Sequence, residues 1–190
     1  MQKIMFNYRY HHTNAVIEER KTRATQIMAG IDFPVNMVMG RVLPDKDGKI
    51  YAVANGENII VKLRYKVGEV VAVAQCYNDV VREFTDLAFV PGSTNKMFVR
   101  ADLMPHQIRI IGIRCERLRD ISDEECIKEG VYAGSQALEY PYYFIDTKQF
   151  LICDYKSPRE AFAALIDKVS GRGTWDRNPW VVVYEFELVK

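Results

Sequence analysis

A chain of 190 residues, 48% hydrophobic and 12% aromatic, can bury one substantial core, and its length suits a single domain, residues 1–190, better than two. The 26 Lys and Arg stand against 25 Asp and Glu, so with a net charge of +1 any attraction to a polyanion has to come from local clustering. No apolar run approaches the roughly 18 residues of a spanning helix, and "MQKIMFNYRYHH" lacks a secretory h-region, which predicts a soluble, cytoplasmic protein with no membrane partner.

In chain order, "TNAVIEER" reads as a short helix capped by Thr13 or Asn14, followed by an extended "ATQIMAG" that ends at Gly30. "MVMGRVL" and "KIYAVA" flank "PDKDGK", whose Asp-Gly between apolar runs is a hairpin signal. "NIIVKLRY" alternates like a half-buried strand, and "VGEVVAVAQCY" reads as a fully buried one. In "MFVRADLMPHQIRIIGIRCERLRDI" the alternation puts Ile108, Ile110 and Gly112 on one side and Arg109, Ile111 and Ile113 on the other.

Ser122 and Glu125 form a capping box for a small helix in "SDEECIKEG", with Gly130 as its left-handed stop. The aromatic-rich residues 132–150 look like an insert, either a lid or an extra hairpin. Ser157 and Glu160 form a second box, with Pro158 in the first turn of a helix that ends near Gly171. "PWVVVYEFELV" is β-branched and long enough for a central strand. Several strands, few helices and no βαβ rhythm predict an α+β fold, a small β-barrel with short helices at its openings.

Cys76, Cys115, Cys126 and Cys153 are scattered without a CxxC pair, and His11, His12 and His106 have no ligand spacing to them. Buried reduced thiols follow, with no metal and no cofactor expected.

The order "ERKT", "VGEVVAVAQ", "RIIGIRCERLRDISDEECIKEG", "AFAALIDKVSGRGTW" and "NPWVVVYEFELV" resembles the ASCH domain in its long phage and prophage form, over nearly the whole chain. That resemblance implies a PUA-like mixed small β-barrel with flanking short helices around a cleft. It also implies a ligand that is RNA, a nucleotide or a modified nucleoside. Some small ASCH members hydrolyse the acyl amide of N4-acetylcytidine with a lysine, a threonine and a glutamate. By the match, the lysine falls on Lys21 and the glutamate on Glu129. Ala24 stands where the family's second threonine belongs; Thr25 is one residue late, which in a strand turns its side chain to the other face, and Gln75 replaces a usual glutamate.

Amide hydrolysis needs a nucleophile, a base and a stabiliser for the oxyanion, and a lysine serves as base only if burial or nearby cations lower its pKa. Arg20 and Arg23 flank Lys21 and act in that sense, and Glu129 could pass a proton to the leaving amine. Thr22 and Thr25 are the hydroxyls at hand. The expected ligand site is therefore Arg20, Lys21, Arg23, Gln75 and Glu129, with Trp175, set between Arg172 and Arg177, as a stacking surface and Arg177 beside it. Arg109, Arg114, Arg117 and Arg119 make a weak candidate stripe for phosphates, since their parity divides them between faces. Binding of a nucleobase-like ligand leads; an amidohydrolase and a protein-interaction module are the alternatives.

Overall fold

The closing run Trp180–Leu188 explains much of the architecture. Successive strand side chains face opposite ways, so Val181 and Val183 enter one apolar cluster while Val182, Tyr184 and Phe186 enter another. A strand that is apolar on both faces has to be covered on both, and the rest of the chain supplies the cover. The computed structural model describes residues 1–28, 43–44, 50–54, 57–61, 63–80, 90–134, 143–145 and 152–189.

The elements run β1 (Lys3–Ile4), α1 (His12–Ile17), β2 (Arg23–Ile27), β3 (Leu43–Pro44), β4 (Ile50–Ala54), β5 (Glu57–Val61), β6 (Val70–Val73), α2 (Tyr77–Val80), β7 (Gln107–Arg117), α3 (Asp123–Lys128), β8 (Tyr132–Ala133), β9 (Tyr143–Ile145), β10 (Ile152–Tyr155), α4 (Pro158–Ser170), α5 (Thr174–Arg177) and β11 (Trp180–Leu188). A five-stranded mixed sheet, ordered β1-β6-β7-β11-β2, forms the centre, with β1 parallel to β6 and the other pairs antiparallel. The fold is α+β. Among the described residues this ladder ends at β1 on one side and β2 on the other.

One face of the sheet packs Ile4, Val71, Val73, Ile108, Ile110, Val182, Tyr184 and Phe186 around Phe6, Val16 and Tyr65. The other carries Val181 and Val183 against Phe162, Leu165 and Ile166 of α4, with Leu118, Ile121 and Cys126 alongside. The two faces of β7 do not keep the simple alternation its sequence suggests. The register against β11 shifts between Glu185 and Phe186: Glu185 faces Gly112 while Phe186 faces Ile110. Ile111 is the extra residue, half exposed at 51%, and beyond it the parity inverts, so that Ile113 and Cys115 join Ile108 and Ile110 on the same core. Gly112 leaves room there for the Glu185 carboxylate, whose Oε2 would lie 2.9 Å from a Cβ at this position.

The local signals map closely onto the helices, with two differences. Ser122 and Glu125 form the full capping box. At α4, Ser157 accepts from Glu160 N, but the Glu160 carboxylate takes Lys156 N at 2.9 Å, so that box is only half made. The helix α1 starts at His12, one residue before Thr13, after His11 in a left-handed conformation (φ 50°) with no side-chain cap; Thr13 is buried inside the helix and not free to cap it.

β3 and β4 pair antiparallel, Leu43 opposite Tyr51, as the hairpin signal requires; the Asp-Gly turn itself and Gly30 lie outside the described residues. Within the expected insert, Tyr132 pairs with Phe144 and their rings stack at 4.8 Å; β8, β9 and β10 form a three-stranded sheet, and 135–142 and 146–151 lie outside the described residues. No helix among the described residues is long and apolar enough to cross a membrane.

Candidate functional site

After α1 the chain turns sharply: the amides of Arg20 and Lys21 both donate to Ala15 O at 2.9 Å. Thr22 N then donates to Lys128 O at 3.1 Å, docking this segment on the end of α3. Glu129 closes α3, and Gly130 reverses the chain at φ 104°, where a Cβ would also press on His12 and Lys21 at 3.4 and 3.6 Å. The result is a buried pair. The Lys21 ammonium donates to Glu129 Oε2 at 2.7 Å and to the Glu129 carbonyl at 2.5 Å, from 108 residues away in sequence. Burial pulls the Lys21 pKa below the ordinary lysine value; Glu129 opposes that shift and Arg23 adds to it.

β2 presents Arg23 and Thr25 on the face that meets Glu129, while Ala24 packs in the core on the opposite face. The one-residue displacement of the threonine thus aims it at the acid: the Thr25 hydroxyl donates to Glu129 Oε1. Arg23, 1% exposed, reaches the same oxygen through Nε at 3.3 Å and pairs with Glu116 and with Glu125, the latter at 2.6 Å. Arg114 in turn bridges Glu116 at 2.7 Å, Glu125 and Glu185. Three cations therefore face four carboxylates in one network, and Lys21 and Glu129 are the members that reach the hollow beside it.

That hollow, about 440 Å³, is bounded by Ile4 and Phe6 at one edge of the sheet, by Ala24, Thr25 and Gln26 at the other, and by Phe162, Leu165 and Ile166 of α4. Its polar lining includes Lys21, Glu129, His12 and Lys96, with Asn7 and Tyr8 beside them. Lys96 Nζ donates to Phe6 O, and burial lowers its pKa. His12 is 9% exposed, and its Nε2 has no hydrogen-bond partner among the described residues. Burial, with the Lys21 and Lys96 charges nearby, holds His12 well below the ordinary histidine value, so it is neutral at pH 7.

This has a measurable consequence for stability. The unfolded chain takes up the His12 proton near pH 6.5 and the folded protein does not, so stability is full above that pH and declines below it, by at most about 1.4 kcal/mol per pH unit. Urea titrations from pH 7.5 to 5.0 are expected to show a flatter decline for His12→Leu than for the wild type. Parallel curves would mean that the imidazole is not held neutral.

The remaining expected site residues go elsewhere. Arg20 lies outside the cavity, pairing with Glu18 and stacking over Tyr132 at 4.1 Å. Thr22 serves through its backbone, its carbonyl accepting from Phe186 N. Gln75 lines a separate hollow of about 230 Å³ with Thr13, Asn14, Cys76 and Asp79; Tyr8 and Lys96 border both hollows. Trp175 does not line the cavity: it packs edge-on against Phe162 at 6.1 Å, its amide held by Asp167. Arg177 is tied to Thr174 and to the Arg172 carbonyl.

The arginine stripe dissolves. Arg109 pairs with Glu187, Arg114 sits in the network, and Arg117 and Arg119 lie over Trp180 and Trp175. His12, Lys96, Gln26 and the carboxylates Glu116, Glu125 and Glu185 were not singled out as site residues by the sequence, where Glu125 figures only as a helix cap and His12 only as a rejected metal ligand; their roles depend on long-range pairing.

Among the described residues no group of three His, Cys, Asp or Glu is placed to hold a metal. Cys115 and Cys126 are reduced, and burial pushes their pKa values up to about 11 and about 12, which makes poor nucleophiles.

In chemical terms, the site joins a hydroxyl, a carboxylate that accepts its hydrogen bond, and a buried ammonium, at the polar end of an apolar-walled hollow. Comparison with protein-family models, with curated proteins and with solved structures finds no match to this chain.

Proposed function

We propose that this protein binds an RNA-derived ligand, a nucleotide or modified nucleobase, in the hollow between the sheet edges, within a PUA-like barrel of the ASCH kind. The observation that carries the reading is the meeting of Lys21, Thr25 and Glu129 at the polar end of a space of about 440 Å³. That volume is within the usual range of small-ligand sites, roughly 300–1,000 Å³. Phe6, Phe162 and Leu165 suit the faces of a planar ring, and the polar end suits its edge: Glu129 accepts from an exocyclic N–H and Lys21 donates to a ring carbonyl. Ile4 and Ala24, from opposite ends of the sheet order, border the same hollow, as a sheet curling toward a barrel would require.

A second reading, hydrolysis of an N4-acyl amide, is favoured by the Thr25–Glu129 hydrogen bond. Thr25 Oγ1 attacks the acyl carbon while Glu129 takes its proton, Lys21 steadies the oxyanion, and the amine leaves with the proton from Glu129; water then cleaves the acyl-threonine ester.

Titration with N4-acetylcytidine, followed by tryptophan fluorescence and by acetate release, tests both readings. Trp175 touches Phe162, which walls the hollow, so a bound ring is expected to change its emission. Saturable binding to wild type and to Thr25→Val, with acetate released only by the wild type, supports the enzyme. Binding without release supports the binder, and a flat titration across a nucleoside and oligonucleotide panel removes both.

A further inference from the structure

The smaller hollow beside the cavity has no part in the reading above, although the two share Tyr8 and Lys96 as a common border. Its chemistry differs from that of the larger space. Where the cavity has phenylalanine and leucine walls, the smaller hollow has Thr13, Asn14, Gln75 and Asp79. Two of these carry buried atoms with no partner among the described residues: Thr13 Oγ1, on a residue 3% exposed, and Gln75 Oε1. On the cavity side the neighbouring residue, His12, leaves Nε2 in the same condition. Consecutive residues of α1 thus bring unmet hydrogen-bonding groups to two adjoining hollows.

Buried polar atoms left without partners destabilise a fold, and natural structures keep few of them. Both residues line this hollow, so a hydroxyl-bearing group held there is the kind of partner these atoms lack. The hydrogen-bonding set narrows its identity. Asp79, whose Oδ1 accepts from Tyr8 OH at 2.9 Å, accepts O–H donors, the Asn14 and Gln75 amides both donate and accept, and Lys96 at the border offsets the Asp79 charge. This donor and acceptor set matches a vicinal diol.

We infer that the smaller hollow is a sugar compartment, taking the ribose of a ligand whose base occupies the larger cavity past Tyr8 and Lys96. The inference rests on the proposed nucleobase site and adds to it a second compartment, lined by Thr13, Gln75 and Asp79, that selects a nucleoside over its free base.

The test compares N4-acetylcytosine with N4-acetylcytidine and its 2′,3′-dideoxy analogue, by fluorescence or calorimetric titration of wild type, Thr13→Val and Asp79→Asn. The wild type is expected to bind the nucleoside at least tenfold more tightly than the base and the dideoxy analogue. Thr13→Val and Asp79→Asn are expected to lose most of that advantage while holding the free base as before, and retained base affinity shows that the variants are folded. Equal wild-type affinities for base and nucleoside overturn the sugar compartment but leave the cavity reading intact, as does an advantage that survives both substitutions. Absence of binding by any of the three compounds overturns both.

Discussion

Glu129→Ala is expected to destabilise the protein by about 3–5 kcal/mol, the range for removing one partner of a buried ion pair. The carboxylate is the only group in the described structure that Lys21, Arg23 and Thr25 all reach, and the side chains of Lys21 and Glu129 are 3% and 6% exposed. Without it, Lys21 keeps only the carbonyl of residue 129 as an acceptor, and a buried ammonium with no countercharge sheds its proton or opens the fold. Glu129→Gln retains the shape and an acceptor oxygen, and is expected to fall between the two. Replacing both partners, Lys21→Met with Glu129→Met, is expected to do less damage than the sum of the singles, because no charge is left stranded. Urea denaturation of the four proteins measures this. A Glu129→Ala variant within about 0.5 kcal/mol of the wild type would show that the pair is exposed in solution and that the proposed ligand end does not exist.

The pair was legible in the sequence through its resemblance alone. Periodicity places Lys21 in a turn and Glu129 at a helix end, both ordinary sites for solvated charges, and nothing local says that segments 108 residues apart meet. What local physics does encode came through well: the two-faced alternation of Val181 to Phe186, the reciprocal Ser122–Glu125 cap, and the stop at Gly130. Parity arguments failed where the backbone breaks period two. The bulge at Ile111 sends Ile113 to the core of Ile108 and turns Arg114 and Glu116 toward Arg23. Ala24 raised the opposite concern, a missing hydroxyl, and there parity helps: the face that Thr25 gains by its shift is the face that holds Glu129. Gln75 was expected in the same cleft as Lys21 and lies in the neighbouring hollow, because β6 ends at Val73 and the chain leaves the sheet before reaching the cavity.

The network behind Glu129 makes Arg23 the other position of large effect, and its substitution should carry a signature that ordinary core damage lacks. Arg23 pairs with Glu116, Glu125 and Glu129 while 1% exposed. In the wild type, burial works to raise the Glu125 carboxyl, but the Ser122 amide, Arg23 and Arg114 outweigh it, and its pKa lies below the ordinary value. Arg23→Leu removes the shared cation and leaves three carboxylates crowded, with Lys21 and Arg114 as the remaining partners. At pH 7 the loss is expected to be about 3–5 kcal/mol. Arg23 helps hold the Glu125 carboxyl low in the wild type, so without it the folded variant binds protons more readily than the folded wild type as pH falls. The deficit relative to wild type should therefore shrink between pH 7 and about pH 5, whereas a cavity or packing defect would leave it constant. Arg23→Lys keeps the charge without the planar fork that spans three acids, and is expected to recover part of the loss at pH 7 and to show a weaker pH dependence. A deficit that is the same at both pH values would mean the three glutamates do not share Arg23, and with that the rigid support of Glu129, on which a fixed geometry at the ligand end depends, would be lost.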